Sequence, residues 1–275
     1  MKVWLTGIIV ILLGLAAWYF LSSREPVVEE APPPVVAVQE EEPAPAPEPV
    51  EETVVEEPVP VEEPIPEEPP LPDLADSDPA ALEALTGMVG PEPVARYVAQ
   101  EAVISRFVAT VDALSGRQVP PVIQSVQGPG GEFQATADEQ PDSIILDEVG
   151  DPIPQYVVDP ANYQRYTPYV EMLEAVDAQR AVAEFRSNQP LFEEAFTQLG
   201  YKNGDFEQRL RAVIDELLAT PDVSPPVRLI KPEAYYLFTD KDLESLSAGQ
   251  KILIRMGPEN AARVKSKLTE IRAAL

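Results

Sequence analysis

The chain has 275 residues, with 20 basic and 47 acidic side chains, no histidine and no cysteine, and a formal net charge of −27. Without His and Cys it cannot assemble Ser-His-Asp or Cys-His catalysis, a Cys/His zinc site, a disulfide, a cysteine lipid anchor or a histidine pH switch. The acidic balance disfavours nucleic acid or an anionic bilayer surface as a partner held by bulk charge.

The first element is a run of nineteen residues without charge, Val3 to Leu21. At about 1.5 Å rise per residue it spans about 28 Å, enough to cross a hydrocarbon core. Lys2 precedes the run, and Arg24 behind it is followed by Glu25, Glu29 and Glu30, so the positive-inside bias places the N-terminus in the cytoplasm. A cleavable signal peptide would be shorter and end in small residues; this run ends in Trp18, Tyr19, Phe20 and Leu21, an aromatic interface belt. Residues 1–23 therefore read as a signal anchor, with the lipid bilayer as the partner of residues 3–21. The inner membrane is the expected location, with everything C-terminal exported to the periplasm.

Residues 24–70 hold fifteen Glu, fourteen Pro and one basic residue. Such a segment has no means of burying a core and is expected to stay extended and disordered. At about 3.1 Å per residue in polyproline II it reaches at most on the order of 145 Å. It is either a spacer holding a domain away from the membrane or a tether of untuned length, and its residues leave both open.

Residues 71–275 are enough for one globular domain, or two small ones, with a substantial core. Asp78 before Pro79 predicts a cap for a helix over Ala80 to Thr86. Pro93 to Leu114 predicts one long helix, with Val103, Ile104, Phe107, Val108, Val111 and Leu114 on its apolar face, ended by Gly116. Over 117–158 Pro and Gly break any helix. This stretch is either a partly ordered insertion or a small β element, with extended pieces around Val122 to Val126, Ile144 to Val149 and Tyr156 to Val158.

Helix resumes at two Pro-initiated starts, Asp159-Pro160 and Thr167-Pro168, and runs to about Phe185. Pro190 opens another, closed by Gly200. Asp205 caps the next, whose Phe206, Leu210, Val213, Ile214 and Leu217 form a stripe that Pro221 stops. Val227 to Phe238 suits a short hairpin or an extended connector. Ser247 and Gln250 make a capping box, and Gly257-Pro258 separates two helices. The last helix carries Ala261, Val264, Leu268, Ile271 and Leu275 at core spacing. The fold class is thus mainly α: one transmembrane helix, a disordered linker and a C-terminal domain of seven or eight helices with minor extended or β segments.

Candidate site residues are few. Asp112, Asp177 and Asp215 sit beside apolar helical positions and, if turned inward, need a cation such as Arg106, Arg165 or Arg255. Asp112, Arg165, Asp177 and Arg255 are accordingly structural ion pairs or the lining of a pocket. In the last twenty-five residues Lys251, Arg263, Lys265 and Lys267, with Arg255 and Arg272, outnumber the acids and make a candidate basic face for an anion or a partner. The competing reading pairs them with the acidic remainder of the fold. Catalysis would have to come from carboxylates. Glu244-Ser245 matches the first two residues of a lytic transglycosylase motif, and Glu171 and Glu174 lie near Tyr163, Tyr166 and Tyr169, which could stack on sugars. No calcium loop matches, and no cofactor is expected.

Leu191-Phe192, Leu199-Gly200-Tyr201, Leu243-Glu244-Ser245-Leu246, Gln250-Lys251, Leu253 and Arg255-Met256-Gly257-Pro258-Glu259-Asn260 resemble a bacterial family known as domain of unknown function 3014. Val111-Asp112 and Arg165-Tyr166 also fit its pattern, while 117–158 matches least. The resemblance implies one membrane anchor, a Pro-rich acidic linker and this domain in a Gram-negative envelope, and it supplies no catalytic residue. The expected function is a non-enzymatic binding or scaffold module, its partner a periplasmic protein or peptidoglycan. The alternatives are a Glu-dependent enzyme acting on peptidoglycan and an envelope-spanning protein similar in layout to energy transducers.

Overall fold

The computed structural model describes residues 71–147, 149–202, 204–233 and 235–275. The expected anchor (1–23) and Pro/Glu-rich linker (24–70) lie outside them. Among the described residues no helix is long and apolar enough to cross a membrane. They form ten α-helices and four short strands, a mainly helical domain with minor β structure.

Helix α1 spans Asp78–Val89. The expected single helix over 93–114 is instead α2 (Pro91–Tyr97) and α3 (Val103–Leu114). Between them Val98 is extended and bridges Val126, with Ala99 N donating to Ser125 O and Gln127 N to Tyr97 O. Ala102 then turns left-handed at φ +51°. That conformation costs a non-glycine residue about 1–2 kcal/mol. Asp78 offsets it: its carboxylate accepts from Ala102 N at 2.7 Å and Val103 N at 2.8 Å. The residue expected to cap its own helix is instead the first residue of α1 and caps α3, while Ser77, the N-cap of α1, makes no side-chain cap bond.

The largely irregular stretch 117–158 contributes two short strands to a sheet. Strands β1 (Ala135–Ala137) and β2 (Gln155–Val158) join β3 (Arg228–Ile230) and β4 (Leu237–Phe238) in an antiparallel sheet of order β1-β2-β3-β4. The hairpin expected over Val227 to Phe238 is β3–β4, with Leu229 opposite Phe238. Of the other extended pieces, Val122 to Val126 holds a 3-10 turn at Pro121–Ile123. Among the described residues of Ile144 to Val149, Leu146 bridges Pro152 and Ile145 O accepts from Ile153 N.

The helix expected from Pro160 to Phe185 breaks into α4 (Ala161–Glu174) and α5 (Ala178–Ser187). Pro168 lies inside α4 rather than starting a helix. An internal proline costs about 3 kcal/mol, a penalty that burial of Tyr166, Tyr169, Val170 and Leu173 on the same helix outweighs. Next come α6 (Gln189–Gln198) and α7 (Phe206–Leu218), where Asp205 accepts from Gln208 N as the sequence predicts. After β4 follow α8 (Lys241–Ser245), α9 (Ala248–Arg255) with the Ser247–Gln250 capping box formed, and α10 (Pro258–Ala274).

Two helices organise the core. Helix α3 packs against α1, α6, α7 and α9, and α10 against α4, α5 and α7. The stripe Val264, Leu268, Ile271 on α10 is buried as core. Around Phe107 of α3 gather Phe185, Phe192 and Phe206, all fully buried, with neighbouring ring centroids 5.0–6.1 Å apart. A smaller cluster of Val158, Val227, Leu229, Phe238 and Ile254 joins one sheet face to α9.

Candidate functional site

The four residues singled out as ion-pair or pocket candidates have different partners. Asp112 on α3 accepts from Arg209 Nε of α7 at 2.8 Å, its carbonyl accepts from Arg209 Nη2 at 2.9 Å, and its Oδ2 takes the Tyr201 hydroxyl at 3.2 Å. The Asp112 charge raises the Tyr201 hydroxyl above its ordinary range. Tyr201 in turn stacks on Phe196, with centroids 4.4 Å apart, so this constellation fixes the loop between α6 and α7. Asp177 is the N-cap of α5, accepting from Arg180 N at 2.8 Å.

Arg165 gathers the carbonyls of Pro129, Gly130 and Gly131 with one nitrogen at 2.8–3.0 Å, tying the glycine-rich loop before β1 to α4. Arg255 is buried; its Nη2 donates to Tyr236 O at 2.9 Å, and its guanidinium sits 5.0 Å from the Phe238 ring, locking the β3–β4 hairpin onto α9. Both guanidiniums act on Tyr166, whose hydroxyl is pushed well above its usual range by burial against their opposing influence. Of the aspartates considered inward-facing, Asp112 takes Arg209 and Asp215 takes Arg272 at 2.7 Å. These partners lie 97 and 57 residues away in sequence, which periodicity along one helix does not reveal.

The C-terminal basic residues are bound within the fold. Lys251 is buried and bonds Glu244 Oε1 at 2.9 Å, so it belongs to no surface. Arg263 takes Glu174, Lys265 takes Asp222 and the Thr220 carbonyl, and Lys267 takes Glu270 and the Val176 carbonyl. Pairing with the acidic remainder is what the side chains do.

The same pairs involve the carboxylates considered for glycan chemistry. Glu244 is committed at both oxygens, to Lys251 and to Phe238 N at 2.8 Å, and staples β4 to α8 and α9. The Arg263 hydrogen bond holds Glu174 below the usual carboxylate range, as Arg272 does Asp215. Tyr166 and Tyr169 are buried, and Tyr169 donates to Gln127 O, so that row faces the core.

Several depressions open on the surface of the described residues. A cleft of about 350 Å³ lies where the segment after β1 is tied to the outer sheet face: Arg228 bonds Asp138 at 2.8 Å and also Asp142, and Gln155 Nε2 donates to Ser143 O. That segment continues into exposed Ile144, Leu146 and Val149. A groove of about 170 Å³ runs between Pro221–Val223 and Gly257–Ala262. A third cleft, about 360 Å³, lies between the α2–α3 junction and residues 121–127, lined by Gln100, Glu101, Arg106, Gln124 and Gln127. Sequence reasoning missed these glutamines, since uncharged amides scattered over twenty-eight positions leave no periodic signal. Among the described residues no group of three or more acidic side chains is placed to hold a metal ion.

Residues 103–272 match the model of a family described as "Protein of unknown function (DUF3014)". No curated protein and no solved structure matches the chain.

Proposed function

The chain belongs to that family, DUF3014, and from this premise we propose that it is a membrane-mounted binding module. Residues 3–21 anchor it in the inner membrane, residues 24–70 form a charged extended tether, and residues 71–275 are displayed in the periplasm to hold a protein or cell-wall partner. The observation that carries the binding reading is the engagement of the carboxylates. A glycan-acting acid must keep its proton near neutrality, whereas Glu174 is held as an anion by Arg263 and both oxygens of Glu244 serve as acceptors within the fold. The cleft between the α2–α3 junction and residues 121–127 is lined instead by side chains such as Glu101 and Gln127 that make no side-chain bond among the described residues.

Three experiments test the reading. Reporter fusions at the C-terminus and after residue 70 should be active only in the periplasmic form; cytosolic activity would overturn the placement. Cross-linking of the tagged full-length chain in intact envelopes should recover a defined protein or peptidoglycan fragment. Release of soluble fragments from purified sacculi, abolished by Glu244→Gln in a variant that still melts like wild type, would favour the enzyme instead.

A further inference from the structure

We propose that the cleft between the α2–α3 junction and residues 121–127 binds a short peptide with both termini free. The inference rests on the binding-module reading but not on the membrane placement. Its centre is Arg106. Nε donates to Glu101 O at 3.1 Å, and Nη1 donates to Val122 O at 2.7 Å and Gln124 O at 3.3 Å. Among the described residues this guanidinium has no carboxylate partner and its Nη2 makes no hydrogen bond. Arg209, Arg211, Arg228, Arg263 and Arg272, by contrast, all take carboxylates. Three backbone carbonyls thus take Nε and Nη1, leaving Nη2 to donate to an anion such as a carboxylate.

The remaining lining is acceptor-rich. Gln100 Nε2 donates to Val94 O at 3.1 Å and Val98 O at 2.8 Å, and Gln124 Nε2 donates to Val119 O at 3.3 Å. A carbonyl can only accept, so each amide nitrogen faces it and each Oε1 is left free, while Gln124 keeps one N–H and Gln127 its whole amide. The Glu101 carboxylate and the Gln127 amide make no side-chain bond among the described residues. One cation beside several acceptors fits a ligand with a carboxylate and N–H or ammonium donors. Phosphate, a dianion or monoanion with mostly acceptor oxygens, would meet the Glu101 carboxylate and two amide oxygens. A neutral sugar would leave Arg106 and Glu101 uncompensated, and no aromatic ring lines the cleft for it to stack on.

The cleft is also rigid before any ligand arrives. Thr110 Oγ1 donates to Ile123 O at 2.8 Å and accepts from Ser125 N at 3.2 Å, fastening one wall to α3, while Asp78 pins Ala102 on the other. Such preorganisation lowers the ordering cost of binding. The volume, about 360 Å³, falls in the range of small-ligand sites.

The test is calorimetric titration of the purified full-length chain with trialanine, its C-terminal amide and its N-acetyl derivative. Saturable trialanine binding should weaken at least about tenfold on amidation and in Arg106→Gln. Glu101→Gln should weaken trialanine but leave the N-acetyl derivative unchanged. Should Arg106→Gln melt early, the Glu101→Gln arm decides, because that side chain makes no bond to lose. Absence of saturable binding, indifference to amidation, or full trialanine affinity in Glu101→Gln overturns the proposal. If trialanine fails while an envelope partner is captured by cross-linking, the cleft assignment falls and the binding-module reading stands.

Discussion

The carboxylate of Asp78 accepts the backbone N–H of Val103 at 2.8 Å and that of Ala102 at 2.7 Å, so a side chain in the first turn of α1 caps α3 from twenty-five residues away. The contact satisfies two amides at a helix start and holds Ala102 left-handed. Asp78→Ala should lower unfolding free energy by about 1–2 kcal/mol, the usual cost of losing a helix cap. Ala102→Gly, which relieves the positive φ, should be neutral or stabilising by up to about 1 kcal/mol. Denaturant titration of both variants checks this; equal destabilisation would mean the strain account is wrong.

Lys251 and Glu244 form a pair whose cationic end is buried. Removing one partner from such a pair costs about 3–5 kcal/mol, because the other charge is left without compensation. Glu244→Ala should therefore be severely destabilising, and Glu244→Ala combined with Lys251→Met should recover part of the loss. A double-mutant cycle gives the coupling directly, and additive single effects would contradict it.

Gly257 joins α9 to α10 at φ +87°, and a Cβ there would lie 2.6 Å from the Tyr163 ring. Both the backbone and the space exclude a side chain. Gly257→Ala should cost more than about 2 kcal/mol by these combined effects. Gly130→Ala, where nothing lies within 4 Å of the new methyl, should leave the melting temperature nearly unchanged.

Stability should fall at both ends of the pH scale. Arg263 and Arg272 depress the folded pKa of Glu174 and Asp215. Stability from a depressed carboxylate is present above its unfolded pKa and is lost as pH falls through the folded one, so the acid limb should begin below about pH 4. Both carboxylates are largely exposed, and that limb should be shallow and flattened by salt. Burial raises Tyr166 well above 10.0 and Tyr169 to about 12. A raised folded pKa gives stability that is full below the unfolded value and lost as pH rises, so alkaline weakening should run between about pH 10 and 12. Melting temperatures across this range, at low and high salt, test both limbs; a salt-independent acid limb would rule out the ion pairs as its cause.

Local sequence chemistry determined much of this domain. Asp205 and the Ser247–Gln250 box act on amides within the same turn, and the α7 and α10 stripes repeat at helical spacing, so neighbouring residues carry the whole signal. The absence of His and Cys removed whole classes of chemistry before any fold was known. Tertiary structure alone decided what crosses between elements. It broke the helix predicted over 93–114, because Val98 pairs with Val126 and Asp78 reaches Ala102. It gave Asp112 to Arg209 and buried Lys251 against Glu244. It also brought Arg106 beside Gln100, Gln124 and Gln127. Charge and hydrogen-bond partners are chosen by distance in space, and a pattern along one helix carries no information about which side chain a second element will place against it.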